Sequence, residues 1–210
     1  MNIEKLKECE DRFCEYYEKG FEDEKLAKTV KLFNTAKFHE MAKNSFALEK
    51  FSNIEQIIQD FFTILLKSPL ISFYEGDILK SALKNFTMYE KDMLSIFLQD
   101  ILYGDFPHNL ENSFDDFVEL LASKNLAKWH IVTLIPYYFS LNKNYFLKPS
   151  TTRNIIKYFE IENLKYNSKP SFEFYKAYTN NLLEMKNSVN PKLKDDNGRF
   201  TGFLRLSMEK

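Results

Sequence analysis

The sequence predicts an all-α fold: a compact bundle of roughly eight or nine helices with a short irregular C-terminal tail. Three observations carry that expectation. Ile54, Ile57, Ile58, Phe61, Phe62, Leu65 and Leu66 recur at the spacings that place side chains on one helical face. Ser52 with Glu55, and Thr87 with Glu90, supply the reciprocal Ser/Thr-x-x-Glu pattern that satisfies free amides at a helix start. The 210 residues hold 5 Gly and 6 Pro but 21 Phe and 12 Tyr, so chain breakers are scarce and packing material is plentiful.

Each element follows in order. Residues 3–19 place Leu6, Cys9, Phe13 and Tyr17 on one face and end at Gly20, while 23–43 is charged with a thinner apolar stripe. The stripe at 54–66 is followed by Pro69, and 75–85 fits a short helix. Thr87 opens a segment carrying Met93, Phe97 and Ile101, with Gly104 where a left-handed residue would close it. Ser113 and Asp116 introduce a helix with Phe114, Phe117, Leu120 and Leu121. Residues 126–140 are apolar nearly all round, as in a buried helix, and Pro136 implies a kink or an early stop. Ser150 or Thr151 can cap a helix through Phe159, and Pro170 suits the first turn of one carrying Tyr175, Tyr178, Leu182 and Met185. Asp195-Asp196-Asn197-Gly198 is turn chemistry, so 191–210 is expected as a docked tail. Residues 1–210 form one helical domain, divisible into lobes 1–105 and 106–190.

Composition excludes several kinds of site. The glycines stand at 20, 76, 104, 198 and 202, so no Gly-rich phosphate cradle can be written. Cys9 and Cys14 cannot form a cysteine-rich zinc site, and His39, His108 and His130 lack ligand spacing, so no metal or other cofactor is expected. His39 and His108 read as solvated. His130, beside Trp129 in an apolar stretch, is either a satisfied core histidine or part of a site. Glu111, Asp115, Asp116 and Glu119 cluster near a helix start, where carboxylates answer the helix dipole. Met1 runs directly into charged residues, and Trp129–Leu141 is too short for the roughly twenty residues that span a bilayer. A cytoplasmic protein without a membrane partner is the expectation.

Net charge is −1, but residues 1–120 carry 14 basic against 23 acidic residues and 121–210 carry 15 against 7, a contrast of −9 with +8. Either the halves attract each other, or the basic half 121–210 meets nucleic acid. Tyr137, Tyr138, Phe139, Tyr145 and Phe146, near Lys143, Lys148, Arg153 and Lys157, would then serve as a stacking platform; the alternative is core packing.

Trp129, Thr133 and Pro136, followed by Phe146, Leu147, Lys148, Pro149 and Thr152, spell W-x-x-x-T-x-x-P and F-L-K-P-x-x-T. This pattern resembles that of a family of uncharacterised bacterial helical proteins, and Tyr74-Glu75 and Leu102-Tyr103-Gly104 resemble its upstream elements. His130 stands where the family carries proline, and the tail departs from it. The resemblance implies an all-helical fold and bacterial origin, and no mechanism. Pro149 biases Lys148 towards extended backbone just before a helix start, which suits an approaching anion, exposure to solvent or pairing with a carboxylate such as Glu75.

Three functions compete. The favoured one is a non-catalytic helical interaction protein with a protein partner. The second is a nucleic-acid-binding or DNA-glycosylase-like protein, with Lys148 as amine nucleophile, Glu75 as acid/base and His130 nearby. The third is a small-ligand pocket lined by Trp129, Tyr103 and Tyr74.

Overall fold

The computed structural model describes residues 1–33, 35–104 and 110–208, and His108 lies outside the described residues. Among those described there are α-helices and 3-10 turns and no strand. The helices are α1 (Ile3–Tyr16), α2 (Glu24–Phe33), α3 (Thr35–Ser45), α4 (Ile54–Lys67), α5 (Gly76–Asn85), α6 (Met88–Tyr103), α7 (Leu110–Ala122), α8 (Trp129–Val132), α9 (Leu134–Phe139), α10 (Pro149–Tyr158), α11 (Phe172–Asn187) and α12 (Asn197–Met208). That exceeds the eight or nine expected, for three reasons.

Residues 23–43 divide into α2 and α3, which serve different neighbours: α2 lies against the Gly20 turn, α3 against α4 and α9. The buried 126–140 stretch breaks at Thr133, one turn before Pro136. Pro136 has no amide to offer the carbonyl of Val132, four residues earlier, and its ring crowds that carbonyl, so the break appears there. The tail is the third. Instead of an irregular strap, 191–208 forms a 3-10 turn and then α12, whose Phe200, Phe203 and Leu204 are fully buried. Asp196 Oδ1 accepts the Arg199 amide at 2.9 Å, so the expected turn residues act as a helix cap. A Cβ on Gly198 would run into the Tyr137 hydroxyl and lie 2.9 Å from the ring carbon bearing it, which makes glycine necessary for packing rather than for turning.

Other boundaries moved slightly. Residues 48–52 wind into a 3-10 turn in which the Ser52 hydroxyl donates to Glu49 O at 3.0 Å, so the cap of α4 passes to Asn53, accepting Gln56 N at 3.2 Å. Thr87 and Glu90 cap α6 reciprocally, as expected. Gly104 closes α6 in extended backbone, φ −61°, rather than left-handed, whereas Gly20 is left-handed at φ +61°. Pro170 precedes the Ser171 cap of α11 by one residue and so stands just outside the helix.

The stripe on α4 sits at the centre, against α3, α5, α6 and α9. Packing crosses the middle of the chain: α1 lies on α12, where Phe13 meets Phe203 edge-on at 5.3 Å, and the Asn2 amide donates to Phe159 O at 2.7 Å. Charge follows the same pattern. Lys124, Lys128, Lys169 and Arg199 of the basic half pair with Glu90, Glu75, Glu119 and Glu22 of the acidic half, at 2.7, 2.8, 2.9 and 3.0 Å. Mutual attraction of the halves accounts for these four cations.

Candidate functional site

Trp129, Thr133, Leu147 and Thr152 of the sequence signature lie in the interior, whereas Lys148 is exposed. Trp129 is buried against Phe174, ring centres 5.1 Å apart, and its Nε1–H donates to Asn167 O at 2.7 Å. The Thr133 hydroxyl, with no exposure, donates to Trp129 O at 2.7 Å and accepts the Leu147 amide at 3.0 Å. It thereby patches the helix break and ties it to the strand of chain leading into α10. Pro149 is the first residue of α10, and Lys148 before it is extended at φ −92°, ψ 121°. Thr152 is buried in the core. Tyr137, Tyr138, Phe139 and Tyr145 are buried as well, which corrects the stacking platform: those rings pack the core. Burial pushes the Tyr138 hydroxyl up to about 12 although it shares a hydrogen bond with Ser68 Oγ at 2.8 Å.

Glu75 and His130 do meet, 55 residues apart in sequence. Glu75 ends a 3-10 turn, Phe73–Glu75, that leads into α5. Its Oε2 accepts the Ser72 amide at 3.4 Å, and its own amide donates to Ser72 O at 3.0 Å. Oε1 accepts Lys128 Nζ at 2.8 Å and His130 Nε2–H at 2.7 Å. Burial by itself pushes Glu75 up, but the hydrogen bonds from Lys128 and His130 outweigh it and hold the carboxyl below its usual range. Lys128, just ahead of α8, was not singled out from the sequence, because a lysine two residues before a histidine carries no pattern of its own.

The remaining candidates lie elsewhere. Lys148 is exposed and forms no ion pair among the described residues, so the suggested Glu75–Lys148 pair is replaced by Glu75–Lys128. The Tyr103 hydroxyl donates to Phe46 O at 2.8 Å, and its ring contacts Phe139 and Phe51. Tyr74 projects into solvent while Trp129 is enclosed, so Trp129, Tyr103 and Tyr74 line no common pocket. An open groove of about 550 Å³ runs between α5 and the 123–125 turn, past Asp77, Ile78, Ser81, Asn85, Lys124 and Asn125. The Glu75–Lys128 and Glu90–Lys124 pairs tie the segments flanking α5 to the same turn region.

His39 is not simply solvated: its Nδ1 lies 2.7 Å from Tyr138 O, and since a carbonyl only accepts, Nδ1 carries the proton. In the acidic cluster, Asp115 Oδ1 accepts the Phe172 amide at 2.9 Å and Glu119 pairs with Lys169. Among the described residues no three His, Cys, Asp or Glu side chains are grouped to hold a metal ion.

Chemically, the Glu75 carboxylate is an acceptor already filled by three donors, Lys128 and His130 on Oε1 and the Ser72 amide on Oε2. His130 makes no other side-chain hydrogen bond among the described residues, so no nucleophile is paired with it. The cluster works as a clasp that fixes the turn carrying Phe73 and Tyr74. Those two rings are 94% and 88% exposed and contact each other edge-on at 6.3 Å.

Compared with protein-family models, with curated proteins and with solved structures, the chain finds no match. No helix among the described residues is long and apolar enough to cross a membrane.

Proposed function

We propose that the chain is an intracellular, non-catalytic helical interaction protein that binds a protein partner through the Phe73–Tyr74 turn. The observation that carries this reading is the near-complete exposure of two adjacent aromatic side chains, the two most exposed rings among the described residues. Aromatic side chains dominate binding energy at protein interfaces because they cover much area and lose few torsions. Here the backbone beneath them is held in advance by the Ser72–Glu75 bonds and by Lys128 and His130, which lowers the ordering cost of binding. The unpaired thiols of Cys9 and Cys14 accord with a reducing compartment.

Affinity capture from lysate compares the wild-type chain with the double variant Phe73→Ser/Tyr74→Ser. The expected result is a discrete protein that the wild type retains and the variant loses. Equal retention by both chains, or recovery of nucleic acid alone, would overturn the reading.

A further inference from the structure

Helix α6 has two apolar faces: one is buried, and the other is covered by the fold only at its C-terminal end, where Tyr103 meets Phe46 O, Phe51 and Phe139. Leu94 and Leu98 are buried in the core. On the opposite side Tyr89, Ile96 and Tyr103 are 72%, 50% and 39% exposed. Seven residues return to nearly the same side of a helix, drifting by only about 20°, so these three form one straight stripe along the outer face. At its end the 3-10 turn Leu48–Ser52 presents Phe51 to the Tyr103 ring, 6.2 Å between centres. A helix apolar on both sides is ordinarily covered on both.

The charges that α6 itself places beside the stripe have one sign. Asp92 and Asp100 fall about 40° to either side of Ile96, and Asp100 accepts the Ser113 hydroxyl at 2.8 Å. Glu49 stands close enough to Tyr103 to act on its hydroxyl. Lys91, the cation of α6, faces away and pairs with Glu55 of α4 at 2.7 Å. Lys43 sits over the Phe139 ring instead. Two copies of this face pressed together would oppose carboxylate to carboxylate, and an anionic lipid surface would be repelled likewise.

We infer that the outer face of α6 binds a cationic amphipathic helix of a partner protein. Apolar residues of that helix lie along Tyr89, Ile96 and Tyr103, and its lysines or arginines meet Asp92, Asp100 and Glu49. This surface belongs to a different element from the Phe73–Tyr74 turn, and the two stand or fall separately.

The test uses a fluorescein-labelled synthetic leucine–lysine amphipathic helix and its leucine–glutamate counterpart, read by anisotropy against the full chain. The wild type is expected to bind the first and not the second. Ile96→Ser and Asp92→Lys should each weaken binding about tenfold, while Asp77→Lys, the same charge change at an exposed site on α5, leaves it unaltered. Circular dichroism of each variant confirms folding. Equal weakening by Asp77→Lys would reduce the effect to general charge attraction and overturn the inference. So would binding of the glutamate helix, or a dimer of the chain that Ile96→Ser dissociates.

Discussion

The segment 129–152 and the turn 72–75 are built on opposite terms. The first holds the Trp, Thr and Pro motifs, whose buried polar groups are consumed internally: Trp129 by Asn167, Thr133 by Trp129 and Leu147. The second carries an aromatic pair inside a Ser72-x-x-Glu75 capping box, and the fold fixes its backbone and leaves those rings in water. A motif of large and hydroxyl-bearing residues is therefore a poor guide to function here. It marks where a helix broken at Thr133 is mended. Exposure on a pre-fixed backbone marks where the molecule can meet something else.

The comparison can be broken most forcefully at Trp129. Trp129→Ala should cost about 3–5 kcal/mol of stability, a loss read from urea unfolding, because it empties a packed site and orphans the Asn167 carbonyl. Thr133→Val keeps the shape but leaves the buried Leu147 amide without an acceptor, and should cost about 1–3 kcal/mol. Either variant near neutral would mean that the signature is not scaffolding.

At the clasp the signature of Glu75 is its pH dependence. A carboxyl held below its usual value adds stability that is complete above the unfolded value, near 4.5, and is lost as pH falls through the lower folded value. Unfolding midpoints of the wild type and Glu75→Gln should therefore differ at neutral pH and converge in acid. A constant gap across that range would contradict the ionised clasp. Smallest in stability is Phe73→Ser/Tyr74→Ser, expected within about 0.5 kcal/mol of wild type, since neither ring is buried. A large loss would turn the aromatic tip into part of the core.

Much of the fold was legible in periodicity and caps. The α4 stripe and the Thr87–Glu90 cap lie where local rules place them, because both depend on neighbours within two turns. The α12 helix was not legible. Its Asp-Asp-Asn-Gly start reads as a turn until Asp196 caps it and Tyr137 closes over Gly198, and both the helix and that contact depend on distant packing. Of the site, Glu75 and His130 were named from the sequence, but their partner Lys128 was not, since nothing local distinguishes it from other lysines. Lys148 misled for a physical reason: proline fixes the backbone of the residue before it and says nothing about where its side chain ends.

The most direct measurement places a photoreactive benzoylphenylalanine at position 74 and, as a control, at position 183, where the α11 residue Leu183 is half exposed. Irradiation in lysate should give a discrete protein adduct from position 74 that is absent from position 183. No adduct at 74, or the same adducts from both positions, would contradict the assignment of the Phe73–Tyr74 turn as the binding element.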